Sequence, residues 1–306
     1  MARPGRYLHR KRPCFVSSLI RVIIRHTLPL HPMAAVWLRT LFPIRWAWLI
    51  LLLGLASPAL AQDSTVSGYL GGRYQVDVFS SALSPWHTIS LDYQQNRRQL
   101  IWFGRVNLAQ RFDTLNAQLE LEAYRIRHNG DYWSVSGSYS VGPGFPLTHV
   151  AAEYFKPMNT WEVSLGGRVS HFAKAGTLWI ANTSLSKYHG KFFSSLRPMV
   201  VYSGQTGRIS AYGLRAFSRY YSSDYSYLQA ALAGGYDPTL MLLTGPTLPF
   251  DGRINQYSGE LTYHRSQAAS QGLTIGYGLS LLQLSSLQRW QHTLSLAYKL
   301  PVHGGK

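Results

Sequence analysis

From about residue 66 to residue 300 the chain alternates apolar and polar side chains at period two, in segment after segment separated by turn residues. The stretch Thr160 to Phe172, TWEVSLGGRVSHF, shows the pattern: Trp161, Val163, Leu165 and Val169 fall on one face, Glu162, Ser164, Gly166, Arg168 and Ser170 on the other. Such a segment is a β-strand with one apolar and one polar side. In a soluble sandwich the apolar side would meet a protein core; in an outer-membrane barrel it meets lipid, with the polar side toward a lumen. The rest of the chain has to decide which solvent that face meets.

The spacing predicts strands over 66–79, 86–96, 100–111, 114–127, 131–141, 147–156, 160–172, 176–188, 191–203, 207–221, 225–236, 254–265, 272–284 and 289–300. Each runs roughly ten to fifteen residues, longer than a typical globular strand and right for a tilted strand crossing a bilayer. No stretch after residue 62 has helical periodicity, whereas a soluble domain would carry about a third helix. Charges obey the same parity: Glu120 and Glu122 oppose Leu119, Leu121 and Ala123; Arg105 and Asn107 oppose Val106 and Leu108; Glu260 opposes Leu261 and Tyr263. The parity holds in most segments and blurs in 176–188, where Leu178, Trp179 and Ile180 are consecutive and Lys187 shares parity with Leu185. Trp86, Trp133, Trp161, Trp179 and Trp290 stand in the first few residues of their strands, where interfacial girdles place them. The expected fold is all-β, an antiparallel transmembrane barrel of about fourteen strands, within a range of twelve to sixteen. A soluble β-sandwich is the alternative, and it would need no detergent.

Residues 1–61 hold nine of the 30 basic residues and none of the 13 acids, followed by an apolar run from Trp46 to Leu55 and by Ser57-Pro58-Ala59-Leu60-Ala61. This reads as a signal peptide for Sec-type export, cut after Ala61, with Met33 as an alternative initiator of a normal-sized leader. The apolar run is short for a spanning helix, which needs about twenty residues. The barrel is then residues 62–306, and the formal charge of +17 falls to +8 once the leader is gone. No basic block remains, so nucleic acid is not an expected partner. The single cysteine, Cys14, leaves with the leader, so the mature chain is neither disulfide-bonded nor a lipoprotein.

With an even strand number and both ends in the periplasm, Asn129-Gly130, His189-Gly190 and Ser222-Ser223-Asp224 become short periplasmic turns. The longest connection, Asp237 to Arg253, becomes extracellular.

The order of Pro85-Trp86-His87, Gly104-Arg105-Val106-Asn107 with Arg111-Phe112, Ala123-Tyr124, Tyr139-Ser140 with Phe145-Pro146, Glu153-Tyr154 and Glu162 with Gly166-Gly167-Arg168 is distinctive. It continues through Tyr188 with Gly190, Leu196-Arg197-Pro198, Arg219-Tyr220 and Gly235-Tyr236-Asp237-Pro238. In sequence and spacing these resemble the YaiO-type outer-membrane β-barrel family, most clearly from about 85 to 238. The resemblance implies a multi-pass barrel in the outer membrane of a Gram-negative bacterium and brings no settled substrate. Family members often carry tetratricopeptide repeats ahead of the barrel, an arrangement similar to exopolysaccharide exporters; this chain has none. It also departs at its end, where Leu294, Leu296, Tyr298 and Leu300 alternate properly but Pro301 to Lys306 follow. An insertion signal read by the barrel assembly machinery would then sit six residues inside the terminus.

The expected lumen face carries Asp92, Glu120, Glu122, Glu153, Glu162 and Glu260 with Arg105, Arg111, Arg168, Arg197 and Arg215. These residues suit a charged constriction or sugar-binding track, where guanidinium and carboxylate groups bond hydroxyls and set ion selectivity. They equally suit an ion-pair network that neutralises itself and plugs the lumen. Inward Ser134, Ser136, Ser138, Ser140, Ser164 and Gly166 would widen it locally. Tyr and Trp on that side could stack on sugars, although most should line the lipid interface.

Catalysis is not expected: His171, His264 and His292 have no nucleophile motif near them, and serine is so frequent that chance pairs must occur. Gly142-Pro143-Gly144-Phe145-Pro146 lacks the Lys-Ser/Thr and helix of a phosphate loop and reads as an extracellular turn. No spacing suits a metal, and no cofactor is expected. The expected function is a passive conduit or binding barrel for a small hydrophilic solute, with a saccharide and a link to polysaccharide traffic as its most specific form. The alternative is a non-conducting structural or assembly barrel. Expected partners are outer-membrane lipid and the assembly machinery.

Overall fold

Fourteen antiparallel strands follow one another in chain order, each paired with its predecessor, and the last pairs with the first. They are β1 (Val66–Phe79), β2 (Trp86–Arg97), β3 (Leu100–Arg111), β4 (Thr114–Ile126), β5 (Tyr132–Val141), β6 (Thr148–Met158) and β7 (Trp161–Phe172). The second half comprises β8 (Gly176–His189), β9 (Phe192–Ser203), β10 (Arg208–Tyr221), β11 (Tyr227–Tyr236), β12 (Asn255–Ala268), β13 (Gln271–Leu284) and β14 (Leu287–His303). The structure, a computed structural model, describes residues 66–80, 83–97, 99–111, 113–173, 176–236, 255–268, 271–284 and 287–303. The leader and the connection from Asp237 to Arg253 lie outside the described residues. Among the described residues there is no helix.

Closure satisfies the backbone. In hydrocarbon an unpaired N–H or C=O has no water to bond, so a spanning sheet must close on itself. The β1–β14 seam does this over nearly the whole of β1, from Gly68 opposite Val302 to Phe79 opposite Gln291. Pro301 and Val302 stay within this ladder, opposite Tyr69 and Gly68, so the last strand extends beyond the expected end at Leu300.

The outer wall is apolar and the inner wall polar, as the alternation requires. Leu91, Leu119, Leu121, Val135, Val150, Leu165, Leu185, Leu196, Leu232, Leu261 and Leu294 are all exposed on the outside. Trp102, Trp133 and Trp161 stand outside near one rim, Trp179 and Trp290 near the other. Trp86 departs from the girdle expectation: it is buried on the inside, its ring edge-on to Phe79 at 4.8 Å.

The blurred strand resolves into a local exception. Leu178 and Ile180 face inward and pack with Phe172, Val201 and Ala211 in an apolar cluster, while Trp179 points out. Lys187 also lies outside, its ammonium 4.5 Å from the Trp161 ring centre near the rim, where a long stem can reach water.

Two rims follow from the topology. The terminal rim carries both ends of the barrel and the Asn129-Gly130, His189-Gly190 and Ser222–Asp224 turns. The far rim carries the β5–β6 connection and the strand ends that flank Asp237 to Arg253.

Candidate functional site

Register places all eleven charged residues singled out from the sequence on the inner face. Asp92 is opposite Arg105 and Arg105 opposite Glu120, one row across β2, β3 and β4. The Arg105 Nε donates to Asp92 at 2.6 Å and its Nη1 to Glu120 at 3.3 Å. One guanidinium thus serves two carboxylates. One row toward the far rim, Ser90 donates to Asn107, Asn107 to Gln118 and Gln118 to Ser138, with Ser138 bonded to His149 Nδ1 at 2.6 Å. This polar chain stitches β2 to β6.

Arg197 reaches from β9 to Glu153 on β6, with contacts of 2.9 and 3.3 Å to the two carboxylate oxygens. Ser164 donates to the same carboxylate at 2.5 Å. Gly166, opposite Glu153, leaves room for this: a Cβ there would lie 2.8 Å from the Glu153 side chain and 2.9 Å from a backbone oxygen. Arg215 approaches Glu260 across β11 at 3.7 Å.

A cavity of about 740 Å³ lies inside the barrel. Glu122, Glu153, Arg168, Arg197, Arg215 and Glu260 all line it, and so does Arg73, which the sequence reading did not single out. Arg73 and Arg168 are exposed within it and have no ion-pair partner among the described residues. Asp92, Arg105 and Glu120 do not line this cavity, and neither do Arg111 and Glu162, which sit toward opposite rims. Register also turns Asp77, Arg219, Arg289 and Lys299 inward.

At the far rim the β5–β6 connection folds against the inner wall. Gly144 donates its backbone N–H to the Asn116 side-chain oxygen at 2.7 Å, and Arg111 donates to the Gly144 carbonyl at 3.0 Å. The Arg111 guanidinium lies 5.3 Å from the Trp86 ring and 5.0 Å from the Phe145 ring. Ser140 donates to the Pro146 carbonyl. The Gly142–Pro146 turn therefore sits at the far rim as expected, but is held inward.

At the terminal rim eight consecutive strands turn a ring or a charged group inward. Tyr132 and Phe155 stack at 4.4 Å, and the Tyr132 hydroxyl donates to Glu162 at 3.0 Å. Tyr188 meets Phe193 at 4.4 Å and Phe193 meets Phe217 at 5.7 Å. Arg219 lies over Tyr227 at 4.2 Å and donates to Gln229 at 2.8 and 3.1 Å, while Tyr227 stacks on His264 at 4.9 Å. The sequence reading missed this arc, because the same residue types also form the outer girdles. The outward His171 and His292 bond Thr177 and Tyr277 at 3.1 and 2.9 Å, respectively. Among the described residues no three His, Cys, Asp or Glu side chains group to hold a metal ion.

The sequence matches the YaiO membrane beta barrel domain over residues 68–240. A bacterial polysaccharide outer membrane secretin superposes with a TM-score of 0.53 at 7% identity, over 79% of this chain and 100% of that one. The CymD monoaromatic hydrocarbon channel gives 0.47 at 9% identity, over 82% and 92% of the two chains. Omp33 of Acinetobacter baumannii gives 0.45 at 10% identity, over 78% and 100%. At such identities the likeness is one of fold. No curated protein matches the sequence. The molecule is an outer-membrane β-barrel.

Proposed function

The chain belongs to the YaiO membrane beta barrel family, and from that premise we propose that it is a passive conduit for hydrophilic solutes, saccharides among them. The observation that carries this reading is the cavity of about 740 Å³, lined by four arginines and three glutamates, in which two arginines, Arg73 and Arg168, against one glutamate, Glu122, stand outside any ion pair among the described residues. Self-neutralised pairs brace a wall; cations left without partners attract anions in a confined, poorly screened space. The conduit therefore favours anions. Export by the leader and insertion by the barrel assembly machinery complete the proposal, with outer-membrane lipid as the surrounding solvent.

Single-channel recording of the protein purified from outer membranes tests it. Discrete conductance steps whose anion preference falls or reverses in Arg168→Glu are expected. A folded, heat-modifiable barrel that never conducts sinks the proposal and favours the second reading, a structural barrel closed at its far rim. The clamp of Asn116 and Arg111 on Gly144 is what supports that alternative.

A further inference from the structure

We propose that the aromatic arc at the terminal rim is a saccharide-binding subsite, an inference that rests on reading the lumen as a solute path. The arc draws on every strand from Tyr132 on β5 to Tyr227 on β11 and His264 on β12, with Glu162, Arg219 and Gln229 set among the rings. A pyranose has one face of C–H groups and an edge of hydroxyls. An aromatic face matches the first by apolar contact, and a carboxylate, guanidinium or carboxamide matches the second by hydrogen bonds. The arc supplies both within one rim.

Rings that only brace a wall bury themselves, and this protein does so elsewhere. Phe79, Trp86 and Phe172 on the far side of the lumen are 7%, 6% and 2% exposed. Along the arc Tyr132, Phe155, Phe193, Phe217 and Tyr227 remain only half-buried, and Tyr188 is 49% exposed. These rings face a polar, water-accessible lumen on strands whose outer faces already carry Trp133, Trp161 and Tyr220, so lipid is not what they meet. Apolar faces presented to confined water gain by covering, and a sugar chain passing through the rim covers them without losing its own hydroxyl bonds.

Isothermal titration of the purified protein in detergent, with maltohexaose and with a mannuronate hexamer, tests the proposal without needing conduction. Saturable binding of either hexamer is expected, weakened at least tenfold in Tyr188→Leu and in Phe217→Leu, which keep apolar bulk but lose the ring. In the unaltered protein the bound hexamer should also slow nitration of Tyr188. Binding of neither hexamer, or binding unchanged in both variants with Tyr188 unprotected, overturns it. A barrel that binds sugar this way yet never conducts supports the subsite and sinks the conduit, and one that conducts but binds neither hexamer does the reverse.

Discussion

The carboxamide oxygen of Asn116 accepts the backbone N–H of Gly144 at 2.7 Å, tying the inner wall of β4 to the β5–β6 connection. The same carboxamide donates to the Ala109 and Thr114 carbonyls at 3.3 and 3.0 Å, so it cannot turn away without breaking three contacts. Asn116 is fully buried, and truncation strands the Gly144 amide. Asn116→Ala should lower unfolding stability by about 1–3 kcal/mol. It should also free the connection, giving larger or noisier conductance steps. Gly144→Ala should act alike, because a Cβ there meets the Asn116 side chain at 2.6 Å. Unchanged current in both variants would separate the clamp from the path.

The ion pair of Glu153 and Arg197 spans three strand junctions, and the Glu153 side chain is only 14% exposed. Arg197→Met leaves that carboxylate to Ser164 alone and should cost about 1–3 kcal/mol in urea unfolding. Glu153→Gln in the same chain should restore part of the loss. The coupling read from the double-mutant cycle should be about 0.5–3 kcal/mol. Strict additivity would show that the pair is solvated and holds nothing.

The fold was legible because bilayer and lumen impose opposite preferences on alternate residues, so Leu165 and Gly166, or Leu121 and Glu122, declare their sides without knowledge of any contact. Parity carried the candidate residues to the inner face in the same way. It could not show which charges meet: Glu153 and Arg197 lie 44 residues apart, and their pairing depends on the barrel's curvature as well as on register. It also could not separate inner from outer rings in Phe192-Phe193 or Tyr220-Tyr221, where adjacent aromatics take opposite faces. Trp86 was misjudged for the same reason, since a strand-initial tryptophan suits a girdle and an inner plug equally.

Leu165 and Ser136 make a direct comparison of the two walls. Leu165 is 69% exposed in the middle of the outer face of β7, while Ser136 lines the inner cavity. Leu165→Arg should cost about 2–4 kcal/mol when folding is followed in lipid vesicles. Ser136→Arg should be far milder and shift conductance further toward anions. Equal cost at the two sites would mean that the outer face does not meet hydrocarbon.

Asp131 gives the terminal rim a pH dependence of known sign. It lies in the turn before β5, where the Tyr154 hydroxyl donates to its carboxylate at 2.6 Å and the Asn129 side chain at 2.9 Å. These bonds, the tyrosine's first, hold the carboxyl below its usual value near 3.8. A carboxyl with a lowered folded value contributes stability above its unfolded value, and loses it as pH falls through the folded one. Wild type should therefore exceed Asp131→Asn in urea midpoint at pH 6, and the gap should narrow as pH drops below the ordinary carboxylate range. Tyr154→Phe should flatten the same dependence, because it removes the main donor and leaves the turn otherwise intact. A gap that persists undiminished at pH 2 would show that the ionised carboxylate is not what ties this turn to β6.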